Sequence, residues 1–149
     1  ALAQPGTQVS DEAHAAEHSL EVHLPFLQTV LDDFVLVPIV VGVCRAHAVE
    51  AVLDALWGGD ETVIIVSSDL SHFHAYADAR DIDARTTARI EARETTLQGE
   101  EACGAYALNG LLLVAQARGL RVRTLDVRNS GDTAGDRQRV VGYGSYALA

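Results

Sequence analysis

The sequence predicts an α/β fold, a mixed sheet flanked by helices, and three observations predict it. Apolar residues recur at helical spacing in residues 46–56 and dominate residues 107–117. Two short runs, 35–41 and 62–66, are apolar and β-favouring throughout, as strands buried on both faces are. Helix, strand, helix, strand is therefore the order of the first half, which favours crossover connections.

Taken in order, residues 1–11 lack periodicity and read as a loop ending in a helix cap at Ser10-Asp11. Leu20, Leu24, Leu27 and Leu31 share a helical face, and Pro25 places the start of the main helix near residues 19–25. Pro38 marks the strand at 35–41 as an edge or an irregularity, and Cys44 reads as packing. Val49, Val52, Leu53 and Leu56 form the buried face of the next helix, which Gly58-Gly59 ends. Residues 78–97 alternate charge with alanine and threonine, the pattern of a solvated helix. Residues 107–117 form a core helix closed by Gly119. Residues 120–128 and 139–148 alternate, so each reads as a strand with one solvated face, joined by a turn-rich loop at 129–136.

At 149 residues the chain has the size of a single domain, residues 1–149. A net charge of -10 with scattered arginines argues against a nucleic-acid surface. No apolar run approaches the roughly 20 residues of a membrane helix. Two cysteines in unrelated contexts, and no signal segment, point to reduced thiols and a cytoplasmic protein. The chain has no methionine and opens like the middle of a loop, as a fragment or processed product would.

The strand at 62–66 stops in Ser67-Ser68-Asp69-Leu70-Ser71-His72, at the carboxyl end where open α/β sheets present ligands. Asp69 and His72 can converge there on one substrate proton or one metal. Ser-Ser-Asp is equally an ordinary helix cap. His14-Ala15-Ala16-Glu17-His18 fits the His-x-x-Glu-His spacing of inverted zinc peptidases, with Glu94 as a distant third ligand, or is a plain helix terminus. His18, Glu21 and His23 stand close to apolar residues, where desolvation can shape a pocket, or they end a helix as satisfied polar groups. Cys103 precedes Gly104 at a helix start and is a candidate nucleophile or soft metal ligand, or a buried small hydrophobe. The glycines and aspartates of 129–136 do not fit an EF-hand.

Four stretches in order carry a resemblance. They are Glu17-His18-Ser19-Leu20-Glu21-Val22-His23-Leu24-Pro25-Phe26, Val66-Ser67-Ser68-Asp69-Leu70-Ser71-His72-Phe73, Cys103-Gly104-Ala105-Tyr106-Ala107, and the loop from Asn129 to Asp136 with Val140-Val141-Gly142-Tyr143-Gly144-Ser145-Tyr146-Ala147. Together they resemble the Memo family, the B component of AmmeMemoRadiSam systems, from about Glu12 to the end. The match is to the carboxyl-terminal half of a typical member.

That resemblance implies a fold similar to class III extradiol ring-cleaving dioxygenases, which use non-haem Fe(II). It places Cys103 on the family's metal-site cysteine, His72 on the histidine resembling the dioxygenase base, and Asp69 beside it. His18, Glu21 and His23 fall near the pocket. The family's two metal-binding histidines lie in Pro-His-Ala-Gly and Ser-His-His contexts, neither of which occurs here, so the expected site for Fe(II) or another divalent metal is incomplete. The implied substrate is a small aromatic or redox molecule. The alternatives are a non-enzymatic module binding a peptide or partner, and then the zinc peptidase. Missing strands would invite self-association or a complementing amino-terminal fragment.

Overall fold

The computed structural model describes residues 4–133 and 135–149. Among the described residues, five α-helices and three strands follow one another as α1 (Asp11–Ala15), α2 (Leu24–Val30), α3 (Ala46–Leu56), β1 (His72–His74), α4 (Tyr76–Glu91), α5 (Ala105–Ala117), β2 (Val122–Asn129) and β3 (Val140–Leu148). The fold is α/β. Its sheet runs β1-β3-β2, with both pairings antiparallel.

Local chemistry explains the helix ends. Ser10 caps α1 by accepting the Ala13 amide, and Pro25 occupies the first turn of α2, where a missing N–H costs nothing. Gly119, at φ 69°, turns the chain out of α5. Two apolar clusters hold the layers together. Val49 and Leu53 of α3 pack on Leu111 and Val114 of α5, while Leu70, Ile90, Leu97, Ala105 and Leu112 form the second cluster with Tyr146 against it.

The two apolar runs correct the expected topology. Residues 35–41 and 62–66 are assigned to no strand, and among the described residues 33–44 and 63–68 make no backbone-to-backbone hydrogen bond. Val41, Ile64 and Val66 still pack against the α3–α5 cluster, so one face of these runs is covered. The other is bare: Val35 is 93% exposed and Val63 74%. An apolar run without a neighbour to take its N–H and C=O groups cannot become a ladder, whatever its propensity.

Helix α4 also differs from the solvated helix expected at 78–97. Ala79, Asp83, Thr86 and Ile90 form a buried stripe along it. The turn at 129–136 is a 3-10 turn, Ser130–Asp132, closed by a capping box between Asn129 and Asp132. Residues 1–3 and Ala134, parts of the two expected loops, lie outside the described residues.

Candidate metal centre

Two turns meet to build the site. The first follows the run at 62–66 and carries Ser67, Ser68 and Asp69, with His72 opening β1; the second leads into α5 and carries Cys103 and Gly104. Gly104 allows the meeting. A Cβ at this position would stand 2.8 Å from the Ser68 Cβ and 2.9 Å from the Ser67 carbonyl oxygen, too close for any residue but glycine. The Gly104 amide donates to Ser68 Oγ at 2.9 Å, and Ser68 Oγ donates to the Asp69 carbonyl at 2.7 Å.

Cys103 is held from its own backbone. Its amide donates to the Asp69 carbonyl at 3.3 Å, and the Asp69 amide donates to Cys103 Sγ at 3.2 Å. His72 Nε2 stands 3.4 Å from Asp69 Oδ2, an ion-pair distance longer than a full hydrogen bond. One carboxylate oxygen, one imidazole nitrogen and one sulfur thus lie within 4.8 Å of one another. The thiol is exposed, and Asp69 and His72 are partly buried.

The set suits a borderline divalent transition metal, for which thiolate and imidazole are preferred donors. Bonds of about 2.0–2.3 Å keep ligands of one ion within about 4.6 Å of each other, a spacing comparable with that of these three atoms. The amide aimed at sulfur is the kind of outer contact that orients a thiolate ligand.

Beside the site His72, His74, Gly99 and Glu100 line an open groove of about 390 Å³. A bulge creates it. His72 pairs with Val141 and His74 with Val140, so Phe73 is the extra residue, driven to φ 63° in the left-handed region. Phe73 is exposed, and the Arg139 guanidinium lies 4.9 Å from its ring centroid.

Of the other expected pocket residues, His23 reaches the turn. Its Nε2 is 2.9 Å from Ser67 Oγ, which itself donates to the Ser19 carbonyl at 3.0 Å, so the imidazole supplies the proton of the first contact. The His18 side chain is 92% exposed and Glu21 is exposed. His14 and His18 do not share a helical face, because α1 ends at Ala15 and Glu17 Oε1 accepts the amides of His18 and Ser19. Those amides and the Ser19 side chain hold the Glu17 carboxyl below its ordinary value. Glu94 is paired with Arg89. The helical geometry of a His-x-x-Glu-His zinc site is therefore not formed at 14–18.

Ser68, Gly104, His74 and Glu100 were not singled out as site residues from the sequence. Ser68 and Gly104 lie inside the stretches that carry the resemblance; His74 and Glu100 had no signal beyond nearness to His72 and Cys103.

A sequence profile of the Memo-like protein family matches residues 3–147. The chain belongs to that family. Among curated Memo-like relatives, a MEMO1 family protein of Archaeoglobus fulgidus is 34% identical over 92% of this chain and 57% of its own length. The MEMO1 family protein Ta0237 of Thermoplasma acidophilum is 35% identical over 91% of this chain and 54% of its own. One from Sulfolobus acidocaldarius is 31% identical, with shares of 91% and 52%. The chain spans about half the length of the curated relatives it matches.

Proposed function

We propose that this Memo-like chain contributes one wall of a non-haem metal pocket, of the kind found in class III extradiol dioxygenases, with Cys103 as metal ligand and His72 and Asp69 as the proton-handling pair. The convergence of the three side chains within 4.8 Å, from turns 34 residues apart, carries this reading. When bound, Fe(II) or a similar ion would supply a redox-active Lewis acid. Cys103 is a single protein ligand in this reading, short of the three that a catalytic metal site typically uses, so the pocket needs donors beyond this one. His72 does the proton work. Tightening its 3.4 Å contact with Asp69 fixes the proton on Nε2 and leaves Nδ1 free to take one from a substrate in the adjoining groove. A small aromatic or redox molecule suits that groove, which His72 and His74 line.

The test is anaerobic Fe(II) binding, read by metal analysis after desalting, on the wild type, Cys103→Ser and His72→Ala. The reading expects iron to be retained by the wild type and lost in Cys103→Ser. Equal iron in the wild type and in Cys103→Ser sinks the assignment.

A second reading, as a partner-binding module, is favoured by the bare faces of residues 35–41 and 62–66. Apolar runs with free backbone groups are templates for strand addition. Their occupant is the remainder of a Memo-like domain, since this chain matches only 52–57% of its relatives' lengths. Mixing with the unmatched portion of the Archaeoglobus fulgidus relative should protect the amides of 63–68 from exchange. Concentration-dependent protection without that portion would point to self-association instead.

A further inference from the structure

We infer that Asp83 is a positioning residue, which acts through the Ser71 amide to hold Asp69 and His72 against Cys103; the inference rests on the metal-pocket reading for its purpose. Asp83 stands in the buried stripe of α4, where Ala79, Thr86 and Ile90 meet the sheet, and it is 2% exposed. An apolar residue would satisfy that stripe at no desolvation cost. A carboxylate retained in such a place needs a partner that compensates its burial.

The partner is the turn that carries the site. Asp83 Oδ1 accepts the Ser71 amide at 3.0 Å, and Ser71 is fully buried. The same turn is fastened from the other side by β3, where the Leu70 amide donates to the Gly142 carbonyl at 2.9 Å and the Gly142 amide donates to the Ser71 carbonyl at 2.8 Å. Ser71 is therefore fixed at both its N–H and its C=O. It adjoins His72 and lies two residues from Asp69, so neither can shift without breaking one of these bonds.

Gly142 is shaped for this carboxylate. A Cβ built there would overlap both Asp83 oxygens, which lie directly over the Gly142 backbone. Asp83 and Gly142 thus form one device, a carboxylate seated where a side chain is missing, 59 positions apart (142 − 83) in the sequence.

The test uses Asp83→Ala, Asp83→Asn, Gly142→Ala and the double variant Asp83→Ala/Gly142→Ala, with two measurements. Residue-resolved amide exchange follows Ser71 and Asp69, with α5 amides as the control for overall folding. Cobalt(II) titration follows the thiolate and ligand-field absorption bands. In Asp83→Ala the Ser71 and Asp69 amides should exchange at least about tenfold faster while α5 stays protected. Cobalt should bind roughly 10–100-fold more weakly, as when outer contacts of metal ligands are removed. Asp83→Asn keeps the acceptor oxygen and the shape, so it should restore both. Gly142→Ala should resemble Asp83→Ala, and the double variant should be no worse than either single one, because the added methyl then has room.

Unchanged Asp69 exchange in Asp83→Ala overturns the inference, as does failure of Asp83→Asn to restore it. Loosened amides with unchanged cobalt affinity overturn it as well, since Asp83 would then serve the fold alone. A wild type that binds no cobalt defeats the metal reading separately, and the exchange data still decide whether Asp83 holds the turn.

Discussion

Asp69 and Cys103 bond each other in both directions: the Cys103 amide donates to the Asp69 carbonyl, and the Asp69 amide donates to Cys103 Sγ at 3.2 Å. The sulfur is therefore placed by backbone, which does not swing as a side chain does. His72, three residues on, faces the same point.

That pairing predicts different outcomes for its two members. Cys103→Ala should abolish metal retention, whereas Asp69→Ala should weaken it and leave stability within about 0.5 kcal/mol, because surface ion pairs contribute little. Metal analysis beside urea melts separates the two.

Gly104→Ala should destabilise the fold by about 1–3 kcal/mol, since the new methyl meets the Ser68 Cβ and Ser67 carbonyl oxygen with no room to relax. It should also weaken metal binding by displacing the Cys103 turn. A Gly104→Ala protein with wild-type melting and wild-type metal affinity would contradict the close approach.

Asn109 on α5 pairs with the Leu97 backbone twice, accepting its amide and donating to its carbonyl, each at 2.9 Å. Asn109→Ala leaves both backbone groups unmatched in the interior, at a cost of about 1–3 kcal/mol. Chemical denaturation measures it, and a loss below about 0.5 kcal/mol would mean that water replaces the amide.

Glu101 predicts a pH dependence. Burial pushes its carboxyl up, but hydrogen bonds from Arg89 and the Gln98 amide outweigh it and hold the group below its ordinary value of 4.5. The folded state then binds fewer protons than the unfolded chain, so stability rises with pH in this range. The contribution is complete above 4.5 and is lost as pH falls through the depressed value. Glu101→Gln should flatten the acid limb of stability against pH, and an unaltered limb would exclude this carboxylate as its source.

Asp83 and Asp69 show how unevenly the site was legible. Asp69 follows an apolar run by three positions and precedes His72 by three, a pattern visible within a dozen residues of sequence. Asp83 lies in a charged, alanine-rich helix and looks no different from Asp78 or Asp81. Its burial is decided by Gly142, which the helix pattern cannot see. His18 errs the other way: its spacing from His14 suggested a helical pair, but the helix ends at Ala15 and leaves it in solvent.

The amino-acid sequence by itself determined the helix cap at Ser10, the start of α2 around Pro25, the extent of α3, and the existence of β2 and β3, because caps, ring constraints and side-chain periodicity act within a few residues. Four ordered stretches also identified the family. Only tertiary structure decided that the runs at 35–41 and 62–66 stay outside any ladder, that Phe73 bulges between two histidines that line one groove, and that Asp83 seats over Gly142. A strand needs a neighbour for its backbone groups and a buried charge needs a partner, and in a folded chain both are supplied by residues far away in sequence.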